Sequence, residues 1–214
     1  MSDHEKMIVR AGYNEIAERY LTWSERVVND PRARFTDELV RRVPDSARVL
    51  DLGCGAGIPS TRILAERFEV VGVDASEVQL QLARTNVPEA TFVHGDFSDL
   101  AFPDESFDGV TAFYSIAHVP RDEHARLFVR VAGWLKPGGL FLATLGADES
   151  PDWIGEWLGV SMFFISYDAD ENRRLLRDAG LSLVLDEVVA VREPEGEVAF
   201  LWVLAQKPAE IALD

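Results

Sequence analysis

The chain has 214 residues, 47% of them hydrophobic and 10% aromatic, and its 37 acidic side chains against 21 basic ones give a formal net charge of −16. That length buries one well-packed core and falls short of two comfortable domains. So negative a surface argues against nucleic acid and against an anionic membrane as partners, since both would be repelled, and leaves a small-molecule or protein acceptor.

No apolar run approaches the roughly 18 residues of a membrane span. Residues 1–6 lack the basic and apolar regions of a signal peptide, so a cytoplasmic protein is expected. Along the chain, Tyr13, Ile16, Tyr20, Trp23 and Val27 recur at spacings of three and four, predicting one apolar face of a helix over about 6–28. Its aromatics read either as core packing or as the wall of a ligand site. Asn29-Asp30-Pro31 breaks that helix, and a second one over 32–42 stops before Pro44.

Next comes a short apolar strand, 48–51, running into Asp51-Leu52-Gly53-Cys54-Gly55-Ala56-Gly57. Three glycines spaced by two let the chain turn tightly and let a ligand approach the backbone without meeting a Cβ. A helix starting near Ile58 would aim its amide-bearing end at that ligand. A dinucleotide fingerprint would place its third glycine at position 58, which is Ile58. Asp51 at the strand tip would repel a pyrophosphate and attract a cation. A second strand, 69–74, ends in Asp74, placed to accept hydrogen bonds from a ribose diol. The lone Cys54 can form no internal disulfide and reads as a small filler.

Ser76 is positioned to cap a helix over 77–84. A third strand follows at 91–94, a fourth at 107–113, and a helix over 121–135 turns its Leu127, Phe128, Val131, Trp134 and Leu135 inward before Lys136-Pro137-Gly138-Gly139 ends it. Residues 140–145 form the fifth strand. Residues 146–167 follow no strand or long-helix period and are rich in aromatics: Trp153, Trp157, Phe163, Phe164 and Tyr167. They read as a lid insertion over an acceptor or as plain packing. Asp168 with Glu171 starts a helix that stops at Gly180. Strands 181–191 and 197–206 then flank Glu193-Pro194-Glu195-Gly196, an antiparallel hairpin. Alternating strands and helices predict an α/β fold, a mostly parallel sheet with helices on both faces and ligands at the strands' carboxyl ends.

The stretch Val49 to Gly57, the acidic Asp74, His94-Gly95-Asp96-Phe97 and Leu135-Lys136-Pro137-Gly138-Gly139 resemble, in order and spacing, the motifs of class I S-adenosylmethionine-dependent methyltransferases. The resemblance covers about 13–207. It implies a Rossmann-like seven-stranded sheet with a C-terminal antiparallel hairpin and S-adenosyl-L-methionine as cofactor. It also makes 1–44 a helical cap; length and composition give a single domain over 1–207 with the lid at 146–167 and a loose tail at 208–214. By the same resemblance Asp51, Gly53, Gly55 and Gly57 lie at the cofactor, Asp74 and Ala75 at its ribose, and Asp96 and Phe97 at its adenine. Tyr20, Tyr114 and Ser115 complete that set, and Tyr13 with Tyr20 can reach the methionine end or the acceptor.

Methyl transfer from a sulfonium is an in-line displacement in which the cofactor carries the reactivity and the protein aligns the partners. An acceptor hydroxyl or protonated amine must also lose a proton, for which histidine is suited. Of the four histidines, His118 follows the fourth strand, where this fold places groups near the methyl; it is the candidate base, or else it lines the cofactor pocket or caps the next helix. His94 reads as structural. His118 and His124 match no metal-ligand spacing, so no metal is assigned. Ala112-Phe113-Tyr114-Ser115 lacks the Asp/Asn-Pro-Pro-Tyr pattern of enzymes that methylate amino groups of nucleic-acid bases or protein glutamine. The expected activity is methylation of a small-molecule acceptor held by Tyr13, His118, Trp153, Trp157, Phe163, Phe164 and Tyr167. A protein of the same fold with other chemistry is the alternative, and an NAD-dependent oxidoreductase is weakened by Ile58 and Asp51.

Overall fold

Strand faces are set by residue alternation in the computed structural model, which describes residues 2–209. Two helices lead the chain, α1 (Ser2–Ser24) and α2 (Arg32–Val40), followed by β1 (Arg48–Leu52), α3 (Ser60–Ala65), β2 (Glu69–Asp74), α4 (Glu77–Asn86) and β3 (Thr91–His94). Then come β4 (Phe107–Ala112), a 3-10 turn (Ile116–His118), α5 (Arg121–Trp134) and β5 (Leu135–Gly146). The chain closes with β6 (Ser150–Trp157), β7 (Val160–Ser166), α6 (Ala169–Asp178), β8 (Ser182–Glu193) and β9 (Gly196–Gln206).

Seven strands form one sheet in the order β3-β2-β1-β4-β5-β9-β8. The first five pair in parallel, while β9 is antiparallel to both β5 and β8. Because side chains alternate across a strand, Leu50, Phe141, Ala143 and Val203 pack on one face against the buried stripe Leu127, Phe128, Val131 and Trp134 of α5 and against α6. Val49, Leu142, Trp202 and Leu204 pack on the other face against Phe35 and Leu39 of α2 and Leu64 of α3.

Capping sets two helix starts. The Ser76 hydroxyl accepts from the Gln79 amide at 3.1 Å, and the Asp168 carboxylate accepts from the Glu171 amide at 2.8 Å.

The structure departs from the sequence reading in four places. The leading helix stops at Ser24, where Arg26 and Val27 close tighter turns on Trp23 and Ser24 and Val28 bridges to Arg192. The third helix begins at Ser60, two residues late. Residues 136–139 are a bulge inside β5, between the pairs Phe107–Leu135 and Gly109–Leu140, because Gly138 and Gly139 bond Lys207 of the far strand. Residues 150–166, expected to be aperiodic, form a separate antiparallel hairpin turning at Leu158 and Gly159. β6 is mostly solvent-facing, so it carries no alternation for a sequence pattern to reveal. Residues 210–214 of the expected tail lie outside the described residues.

α1 lies on this hairpin. Ile16 and Met162 meet in a small apolar cluster with Val160, and Gly12 permits the close approach: a Cβ there would stand 2.8 Å from Met162 Cε and 3.1 Å from the Ser161 carbonyl.

Candidate active site

The carboxyl ends of β1, β2 and β4 open into a cavity whose floor is the glycine turn. Gly53 has φ +73°, and a Cβ on it would overlap that of Ser115, so only glycine fits. The Gly53 and Cys54 amides donate to the Val73 carbonyl at 2.8 and 3.0 Å, and the Gly55 amide donates to Asp74 Oδ2 at 2.9 Å. These bonds stitch the turn to the tip of β2. Gly53 and Gly55 line the cavity, whereas Gly57 faces Val87 and Ala83 beside α4 and serves helix packing. The third helix begins at Ser60, and none of residues 58–61 lines the cavity.

Asp51 corrects a sequence expectation. It is 1% exposed and does not line the cavity. Its Oδ2 accepts from Thr61 at 2.6 Å and its Oδ1 from Thr111 at 2.7 Å. Burial raises its pKa against the opposing effect of those hydroxyls. Asp51 therefore ties β1, β4 and α3 together beneath the site instead of facing a ligand.

Asp74 does face the cavity. Burial pushes its pKa up to about 6, opposed by amide hydrogen bonds from Ser76 and Gly55. Ser76 donates to Oδ1 at 2.8 Å and Gly55 to Oδ2 at 2.9 Å, leaving one lone pair on each oxygen for hydroxyl donors. Ala75 lies beside it. Farther along, Asp96 Oδ1 accepts from the Ser98 amide at 2.8 Å, while Lys6 stands 3.4 Å from Oδ2. Phe97 supplies an apolar wall at 9% exposure. Lys6 also pairs with Glu123 at 2.8 Å and Asp99 at 3.2 Å, so three carboxylates claim the one lysine that lines this cavity. A pyrophosphate would meet Asp74 with no free cation to balance it; a positively charged nucleoside suits the lining. S-adenosylmethionine fits that requirement.

A second, larger chamber of about 580 Å³ adjoins the first, walled by Trp23, Trp153, Trp157, Phe164 and Phe200. Four side chains belong to both cavities and form the constriction between them: Tyr13, Tyr20, Tyr114 and His118. Tyr114, at φ +56°, donates to Asp30 at 3.1 Å. Ser115, its hydroxyl on the Leu52 carbonyl at 2.8 Å, stays on the first side.

The His118 ring is fixed by its partners. Nδ1 lies 2.8 Å from the Phe163 carbonyl, which can only accept, so Nδ1 carries the proton. Nε2 therefore accepts from the Tyr13 hydroxyl at 2.8 Å. Burial lowers the His118 pKa to about 4, partly offset by the Phe163 bond, and raises that of Tyr13. At neutral pH the pair is an uncharged Tyr-to-His chain, and both side chains line the constriction.

Two expected acceptor contacts are not made by side chains. Phe163 is 1% exposed and lends only its carbonyl, because alternation along β7 turns its ring inward while Phe164 faces the chamber. Tyr167 packs 5.5 Å from His124 with Arg121 over its ring, outside both cavities. Sequence reasoning missed Lys6 and Val9, although the steps 6, 9, 13, 16, 20 continue the same helical stripe. Trp23, left open between core and ligand wall, lines the chamber, as do Glu193 and Glu195 from the β8–β9 turn.

Comparison with known proteins agrees with this geometry. A family profile described as "Methyltransferase domain" matches residues 49–139. Over those residues, fewer than half of the chain, it is similar to methyltransferase domains. Trans-aconitate 2-methyltransferase of Variovorax paradoxus (strain S110) is 42% identical over 120 residues, covering 54% of this chain and 45% of that protein. The chain thus spans about half the length of such curated relatives. The 27-O-demethylrifamycin SV methyltransferase of Amycolatopsis mediterranei (strain S699) is 31% identical over 171 residues, covering 72% of this chain and 61% of its own. In fold, the chain resembles Burkholderia thailandensis 1,6-didemethyltoxoflavin-N1-methyltransferase, solved with 1,6-didemethyltoxoflavin and S-adenosylhomocysteine. That likeness has a TM-score of 0.74 at 20% identity and covers 97% of this chain and 91% of that one. The sheet is seven-stranded and mostly parallel and ends in an antiparallel hairpin, as the resemblance in the sequence implied.

Proposed function

We propose that this chain is an S-adenosylmethionine-dependent methyltransferase acting on a small-molecule acceptor. The observation that carries the reading is the shared constriction: a cavity lined by Asp74, Asp96 and Phe97 and an aromatic chamber meet only across Tyr13, Tyr20, Tyr114 and His118 among the described residues. Asp74 is assigned to the ribose hydroxyls, Asp96 and Phe97 to the adenine, and Gly53 with Ser115 to the methionine end. The cofactor, when bound, supplies the electrophilic methyl group. The side chains at the constriction would hold an acceptor lone pair in line with that methyl group and keep water from it. Positioning at the constriction provides much of the acceleration, with effective molarities of about 10⁵–10⁸ M for well-aligned reactants. Where the acceptor must lose a proton, the Tyr13 oxygen takes it and passes its own to His118 Nε2.

Residues 1–44 act as cap and 146–167 as lid of a single domain over 1–207, and the protein works in the cytoplasm. No helix among the described residues is long and apolar enough to cross a membrane. An acceptor resembling trans-aconitate is not carried over, because carboxylates predominate among the charged groups lining the chamber. The test is incubation with methyl-labelled S-adenosylmethionine and a metabolite extract. Labelled small-molecule product that disappears in the Asp74→Ala variant supports the reading; bound cofactor with no transfer to any component contradicts it.

A further inference from the structure

The chamber's walls combine two chemistries that together describe an occupant. Trp23 and Trp157 meet edge to face at 5.3 Å, and Tyr20 stacks on Trp23 at 5.9 Å, giving a connected aromatic surface. Beside it stand Glu193, Glu195, Glu197 and Asp148, none of which forms an ion pair among the described residues. The one arginine in the lining, Arg32, is held by Asp30 at 3.1 Å and lies over the Tyr114 ring. Trp23 Nε1 donates to both Glu195 oxygens at 2.9 Å, which places that carboxylate at the edge of the indole. Burial and the neighbouring Glu195 charge raise the Glu193 pKa, as expected of two carboxylates crowded without a cation. An independent mark of a ligand is Thr144, which lines the same chamber at 2% exposure with a hydroxyl that has no hydrogen-bond partner among the described residues. A buried hydroxyl left unmatched requires a partner.

We propose that the acceptor is a flat aromatic compound bearing a cationic amine, its ring against Trp23 and Trp157 and its ammonium at Glu193 and Glu195. The proposal rests on the methyltransferase reading of the same site and narrows it to a substrate class. A cation in this position gains from the ring faces as well as from the carboxylates, whereas a carboxylate ligand meets unbalanced negative charge. The chamber's volume, about 580 Å³, is that of a drug-sized ligand site.

Three probes sharing one ring isolate the charge: tryptamine, tryptophol and indole-3-acetate, each titrated calorimetrically into the chain saturated with S-adenosylhomocysteine at low and high salt. Tryptamine is expected to bind at least about tenfold more tightly than indole-3-acetate, an advantage that shrinks as salt screens the carboxylates. It is expected to vanish in the Glu193→Gln/Glu195→Gln variant, while that variant keeps wild-type affinity for S-adenosylhomocysteine. Equal or tighter binding of indole-3-acetate, a tryptamine advantage that survives the double variant, or no binding by any probe at millimolar concentration overturns the proposal. Failure of S-adenosylhomocysteine to bind at all would instead strike the cofactor reading beneath it.

Discussion

Tyr13 and His118 act as one unit, because the Phe163 carbonyl fixes the imidazole tautomer and turns its basic nitrogen toward the phenol. Neither residue can receive the acceptor's proton in the proposed way without the other. For an acceptor that must be deprotonated, Tyr13→Phe and His118→Gln are each expected to lower kcat by about 10²–10⁴, the usual worth of general-base help. The double variant should fall little below the worse single one, since both changes break the same chain. Steady-state transfer of labelled methyl measures this; fully additive losses would separate the two roles. Asp74 carries a pH signature. Its pKa near 6 belongs to the ligand-free chain, and in the proposed role the ribose hydroxyls donate to the ionised form, so affinity is expected to fall as protonation sets in. The dissociation constant for S-adenosylhomocysteine is expected to be flat above pH 6 and to weaken toward about tenfold per unit below it. A flat profile down to pH 5, or one that Asp74→Asn leaves unchanged, would remove Asp74 from the site.

At the scale of elements, α1 is fastened at two points. Its start is held by the Lys6 cluster with Asp96, Asp99 and Glu123, and its middle by the close fit of Gly12 on β7. Lys6→Met leaves Asp96 without its cation and only Arg126, 3.6 Å from Glu123 and 3.8 Å from Asp99, beside the other two carboxylates, a cost of about 1–3 kcal/mol. Amide hydrogen exchange across α1 should quicken in that variant while exchange in β1 and β4 stays unchanged; protection lost equally in the sheet would mean that Lys6 supports the whole fold. The contrast between elements explains what could be read from the chain alone. β1, β2 and β5 are buried on both faces and α5 carries an unbroken inward stripe, so burial leaves its imprint on their composition. β6 has nothing packed on most of its length, and its pairing with β7 depends on the turn at Leu158 and Gly159, whose backbone demand a leucine does not announce. Within the site, Asp74 ends β2, Asp96 lies two residues beyond β3 and His118 six beyond β4, so all three were legible from their places near strand ends. Asp51 misled because residue type gives no sign of the two threonines, 10 and 60 positions away, that enclose it.

For the whole molecule, the strand order places the tips of β1, β2 and β4 side by side, and the cofactor cavity draws on all three together with α1. A ligand gripping all four should stabilise the chain as a body. At a hundredfold excess over its dissociation constant it adds about 2.7 kcal/mol, which corresponds to a rise in Tm of about 5–10 °C for a chain of this size. The central claim, a cleft made for a positively charged nucleoside with no place for a diphosphate, is tested most directly by calorimetric titration at neutral pH. S-adenosylmethionine and S-adenosylhomocysteine are expected to bind at one site per chain, at least about a hundredfold more weakly in Asp74→Ala, where charge-assisted hydrogen bonds of about 1.5–3 kcal/mol each are lost, and NAD is expected to give no heat. Heat from NAD, or none from either sulfur nucleoside, would contradict the account.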